Sequence, residues 1–133
     1  MKIAALLLLG LVQQVLAESI PAGVWRGQME GVTALVLTIS DEGKDLAGAV
    51  LFYMIRREVG QAARSTPGVP EPLLYLKLDG NLLEFEVSHR RAHGARTQND
   101  PSVKFQMRLL DPKSATFSRL GSNEAPITLI KEN

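Results

Sequence analysis

In two segments, from Leu82 to His89 and from Val103 to Leu110, the chain alternates apolar and polar residues with a period of two, a pattern that fits a half-buried strand and does not fit a helix. Leu83, Phe85 and Val87 alternate with Glu84 and Glu86, and Val103, Phe105, Met107 and Leu109 alternate with Lys104, Gln106 and Arg108. One face of each strand is therefore core and the other is wet. Pairing the two across their loop sets Phe85 near Phe105 inside and Glu86 near Lys104 outside, with opposite charges on neighbouring strands. Alternation also denies Glu84 and Glu86 an inward position, so they read as a solvated face and not as the carboxylate pair of a glycoside hydrolase.

The same pattern recurs in short segments bounded by turn residues, and no segment sustains a helical period. Eight strands are expected, at 24–29, 33–40, 46–56, 73–78, 82–89, 103–110, 115–120 and 127–131. Three of the connections, "DEGKD", "DGN" and "DPKS", hold the residues that tight turns require. Two others, "REVGQAARSTPGVPEP" and "RRAHGARTQNDP", are long and rich in Gly, Pro or polar residues. Consecutive loops of a meander fall at opposite ends, which collects these tight turns at one end and both long loops at the other. The fold expected is all-β, an eight-stranded up-and-down antiparallel meander that closes into a small barrel and abolishes its edges.

Residues 1–17 read as a signal peptide. Lys2 precedes an apolar run that Gln13 and Gln14 end, too short to span a bilayer, and Val15, Leu16 and Ala17 offer a cleavage site. The mature domain is then 18–133, periplasmic or secreted, and not attached to a membrane after cleavage. There is no cysteine, which removes disulfides, thiolate metal sites and lipid attachment together. Cleavage takes away one charge, Lys2, from 15 basic and 14 acidic residues, so the mature domain is formally neutral. Nucleic-acid binding, which shows as a strongly basic domain, is not expected.

Gly23 and Trp25, the only tryptophan, open the first strand. In this the chain resembles the lipocalins and the wider calycin group, which set a Gly-x-Trp at that position. The resemblance implies a lipocalin-like barrel whose Trp closes the tight-turn end, whose long loops form an open mouth, and whose basic residue after the last strand, here Lys131, stacks on the Trp. Gly23, Trp25 and Lys131 are thus the expected barrel closure. The chain is also similar to small exported bacterial meander domains that read GxWxG, then an apolar strand, then GxxLxGxV. Here these are Gly23, Trp25 and Gly27, then Leu35 to Ile39, then Gly43, Leu46, Gly48 and Val50. Those domains are largely of unknown function.

An eight-stranded barrel is only just wide enough to be filled by side chains or to hold one small ligand. The inward set expected from alternation is Leu35, Leu37, Ile39, Phe52, Met54, Leu74, Leu76, Phe85, Phe105, Met107, Phe117 and Leu129; it is bulky, and both a filled interior and a pocket stay open. The mouth collects Arg56, Arg57, Arg64, His89, Arg90, Arg91, His93, Arg96 and Arg119. Its two long loop segments hold six arginines against Glu58, Glu71 and Asp100. Guanidinium groups suit carboxylates and phosphates, so the expected ligand is a small apolar or amphipathic anion.

No catalytic constellation is found. His89 and His93 lie in a loop among arginines that repel a cation, so no metal is expected; Ser88 and His89, adjacent on a strand, point to opposite faces and make no dyad. No cofactor is implied. The strand at 46–56 is apolar on both faces, and its outer face (Leu51, Tyr53, Ile55), with Leu73 and Tyr75 beside it, must be covered by the following loop, a protein partner or a second copy. Gly48 is expected at a bend, and Pro67, Pro70 and Pro72 are expected to keep the following loop out of the ladder as a lid. The alternative function is a protein-binding or inhibitor-type barrel with a filled core, using residues 18–22 as an arm, or an accessory domain with no pocket.

Overall fold

A computed structural model describes residues 21–43, 45–88 and 101–133. Ten strands are present among them, and no helix: β1 (Gly23–Met29), β2 (Val32–Asp41), β3 (Leu46–Arg56), β4 (Arg64–Pro67), β5 (Glu71–Pro72), β6 (Leu74–Asp79), β7 (Leu82–Ser88), β8 (Ser102–Asp111), β9 (Ser114–Arg119) and β10 (Ile127–Lys131). All pairings are antiparallel, and the sheet runs β4-β3-β2-β1-β10-β9-β8-β7-β6, with β5 against β3. The result is an up-and-down half-barrel in which first and last long strands, β1 and β10, are neighbours.

The register follows the alternation. Phe85 pairs with Phe105 and Glu86 with Lys104, as the sequence pattern requires. Trp25, Leu35, Leu37, Ile39, Val50, Leu83, Phe85, Met107, Phe117 and Leu129 are buried together on the concave face. The β2–β3, β6–β7 and β8–β9 turns share the end at which β1 begins. The β1–β2 hairpin turns on Glu30 and Gly31, at φ 53° and 81°, the positive values that a two-residue turn of matching twist needs.

Four expectations need correction. The segment after β3 does not stay out of the ladder: Pro67 pairs opposite Tyr53 in β4 and Pro72 opposite Ala49 in β5, so the expected lid is two short strands on the edge of β3. Proline is tolerated there because an edge strand needs hydrogen bonds on one side only. Leu73, expected outside, is buried in the core, because the chain steps inward between β5 and β6, where the Leu73 amide donates to the Gly48 carbonyl at 2.9 Å. Met54, expected inside, is 60% exposed, whereas Ile55, expected on the outer face, packs against the core. The outer apolar face of β3 is thus narrower than Leu51, Tyr53 and Ile55 together, since Ile55 faces in and Tyr53 lines a cleft with it. Alternation fails at this end of β3 because β3 changes neighbours, from β5 at Ala49 and Val50 to β4 from Tyr53 onward.

Gly48 does not simply mark a bend. A Cβ there would collide with the Thr38 carbonyl oxygen and sit 2.9 Å from Leu73 Cδ1, so the bare backbone is what lets Leu73 close over β3.

Candidate functional site

The two ends of the half-barrel differ in chemistry. At the tight-turn end Trp25 is fully buried, its Nε1–H donates to the Pro21 carbonyl at 2.8 Å, and the Lys131 ammonium lies 5.9 Å from the ring centroid. The β1–β10 register puts Lys131 directly opposite Trp25. Gly23 stands beside them at φ 137°, a conformation that favours glycine, and a Cβ here would meet the end of the Lys131 side chain. A cation over an indole face gains about 0.5–1 kcal/mol even when exposed. This end is packed shut by its own residues.

The other end opens into a cleft of about 310 Å³. Its floor is aromatic. All four phenylalanines of the chain, Phe52, Phe85, Phe105 and Phe117, meet in one cluster, with centroids 5.0 Å apart for Phe105 and Phe117 and 5.6 Å for Phe52 and Phe105. These separations lie in the range where offset and tilted rings attract. Phe85 and Phe117 are buried, while Phe52 and Phe105 remain half-buried and line the cleft. Met29, Ala34, Ile55 and Ile127 form its walls, and Arg119, Glu124 and Ala125 its rim.

The space exists because of a bulge. The β1–β2 register slips between Gly27 and Gln28, so Ala34 and Leu35 are both buried where strict alternation allows one. Ala34 is small, and it faces Met29 and Phe117 across the void. Alternation could not have found Ala34 or Glu124, whereas Met29 and Ile127 share the inward parity of Trp25 and Leu129. The bulge leaves no composition signal, and the residues after β9 are a loop until their contacts are seen.

The expected mouth residues do not form one site. His89, Arg90, Arg91, His93 and Arg96 lie outside the described residues, as do residues 1–17, expected as a signal peptide. Arg119 is exposed on the cleft rim. Arg57 is tied to Glu30 by an ion pair at 3.2 Å. Arg56 and Arg64 stand directly opposite each other on β3 and β4, lining a separate groove of about 240 Å³ with Glu58, Gln61, Ala62 and Thr66. Neighbouring strand residues face opposite ways, so Ile55 in the cleft and Arg56 in the groove sit on different faces of the same strand.

A third depression, about 420 Å³ and shallow, lies over Arg26, Gln28, Thr128, Ile130 and Glu132 on the outer face of β1 and β10. Its charges satisfy each other: Arg26 Nε donates to Glu132 Oε1, and Arg26 Nη1 donates to Thr33 Oγ1 at 3.0 Å. The Glu132 carboxylate holds the Arg26 guanidinium above its ordinary value. Among the described residues no group of three or more His, Cys, Asp or Glu could hold a metal ion. Ser88 is buried, and its hydroxyl has no hydrogen-bond partner among them.

Comparison with family models, curated proteins and solved structures gave no match.

Proposed function

We propose that the protein is an exported, non-catalytic binding module that holds a small apolar or amphipathic anionic ligand, with its apolar part on the phenylalanine floor and its charge toward Arg119. The observation that carries this reading is the cleft itself: Phe52 and Phe105 stay half-buried beside a void of about 310 Å³ in a molecule whose opposite end is packed shut. That volume is at the lower end of ligand sites, which span about 300–1,000 Å³, and favours a single ring or a short chain. The interior below the cleft is filled, since Leu83, Phe85 and Met107 leave almost no exposed surface. A deep lipocalin-type cavity is therefore not part of this reading, although the Gly-x-Trp closure and the segregation of tight turns support a barrel of that kind. We take the half-barrel to close through the run from Glu71 to Asp79, whose first part pairs β3 and whose second part pairs β7.

The inhibitor-type alternative has less support. Its arm would end at Ala22, but Pro21 is fully buried and its carbonyl is engaged by Trp25, which ties the end of that segment into the domain.

The test uses 1-anilinonaphthalene-8-sulfonate, an apolar anion. Wild type should give a saturable, one-to-one fluorescence enhancement. Ala125→Trp, an exposed rim change that fills the cleft, should abolish it, and Arg119→Gln should weaken it, both variants still unfolding cooperatively. No enhancement, or enhancement unchanged in both variants, would refute the cleft as the binding site.

A further inference from the structure

Antiparallel register places Arg56 of β3 directly opposite Arg64 of β4, on a shared face with Met54 and Thr66. Like charges in directly opposed positions destabilise a strand pair. Two nearby arginines show how this chain treats such a charge elsewhere: Arg26 of β1 is paired with Glu132, and Arg57, just after β3, with Glu30. Arg56 and Arg64 have no ion-pair partner among the described residues. Glu58 lines the same groove, yet it makes no ion pair with either of them. Arg56 and Arg64 line an opening of about 240 Å³ together with Gln61, Ala62 and Thr66. The β3–β4 hairpin that carries all of these is held by a turn in which the Gln61 amide donates to the Glu58 carbonyl at 3.0 Å.

We infer that this groove is a second binding site, separate from the apolar cleft, for a tetrahedral oxyanion of the phosphate or sulfate class. Two guanidinium forks can engage such an ion from both sides, and the bound charge turns the repulsion between the strands into two charge-assisted contacts. Gln61 and Thr66 supply neutral donors. One carboxylate among two guanidiniums leaves a single net positive charge, which suits one compact oxyanion better than a polyanion. The groove does not depend on the cleft: Ile55 and Arg56 direct their side chains to opposite faces of β3, so occupancy of one leaves the other open.

The test follows the Arg Nε–Hε resonances and the melting temperature of the mature protein while sodium chloride is replaced by sodium phosphate at constant ionic strength. The expected result is a saturable shift at Arg56 and Arg64 with a rise in melting temperature. Arg56→Gln or Arg64→Gln should weaken binding roughly tenfold or more, the loss of one charge-assisted contact. Arg57→Gln, which removes an arginine already paired, should bind as wild type does. Arg64→Glu should melt above wild type in chloride, because it converts the opposed pair into an ion pair, and should gain nothing from phosphate. Cosedimentation with phosphatidylglycerol vesicles but not with phosphatidylcholine vesicles would identify the phosphate as a lipid headgroup, whereas response to the free ion without cosedimentation would identify a soluble ligand. Absence of any saturable response to phosphate or to either vesicle, or a response that survives in Arg64→Glu, would overturn the site. Dye binding in the cleft should be unchanged in Arg64→Glu, so the two sites fail or stand separately.

Discussion

Trp25 is the residue on which one end of the molecule rests. It is fully buried, bonded to Pro21 and covered by Lys131, so Trp25→Ala removes a large apolar surface and leaves the Pro21 carbonyl without its donor. Truncation of a buried large aromatic costs about 3–5 kcal/mol, and denaturant unfolding of that variant should show a loss of this size. Tyr75 presents the opposite case. It is 78% exposed and sits at φ 54°, in the left-handed region where an L residue with a Cβ pays about 1–2 kcal/mol. Tyr75→Gly should therefore raise unfolding stability by about 1 kcal/mol, since little packing is lost to offset the relief. The Trp25 role could be expected from the sequence only through the Gly-x-Trp resemblance, since alternation marks nothing special at Gly23, Trp25 or Lys131. Tyr75 was not legible, because nothing in "LLYLKL" marks a backbone reversal; the slip between Leu74 and Lys77 in the pairing with β7 creates it.

At the scale of elements, the long strands were legible and their edges were not. Alternation set β7 and β8 to within a residue, because each is paired along its length on both sides, and β3 and β10 fell on the expected bounds although the period fails near the end of β3. β4 and β5 were missed because their prolines argue against strands in general and only weakly against edge strands, which the sequence cannot identify as edges. Native-state hydrogen exchange should reflect the same difference. Amides of β1, β2, β8 and β9, paired on both sides, should exchange slowest, and those of β4 and β6, at the two ends of the sheet, fastest. The β8–β9 turn adds a pH signature. Asp111 accepts from the Ser114 hydroxyl at 2.6 Å and from the Lys113 amide at 2.8 Å, and these bonds hold its carboxyl below the ordinary value of 3.8. The unfolded chain therefore takes up this proton first. The contribution is complete above the ordinary value and is lost as pH falls through the lowered one. Acid titration of stability should decline less steeply in Asp111→Asn than in wild type over that window.

The whole half-barrel has two unlike ends: a plug built on Trp25 and Lys131, and a cleft floored by Phe52, Phe105 and Phe117. The inward phenylalanines and Arg119 could be read from the sequence. The bulge that opens the cleft beside Ala34 could not, and neither could the partition of the arginines, which follows from strand register and ion pairing. The most direct measurement is a methyl and indole NMR titration of the protein with a short-chain alkyl sulfate below its micellar concentration. Saturable shifts are expected at the methyls of Met29, Ala34, Ile55, Ala125 and Ile127, with the Trp25 Nε1–H and the methyls of Leu37 and Ile39 unmoved. Shifts centred on Trp25 and Leu37, with the Ile55 and Ile127 methyls silent, would contradict binding in the cleft.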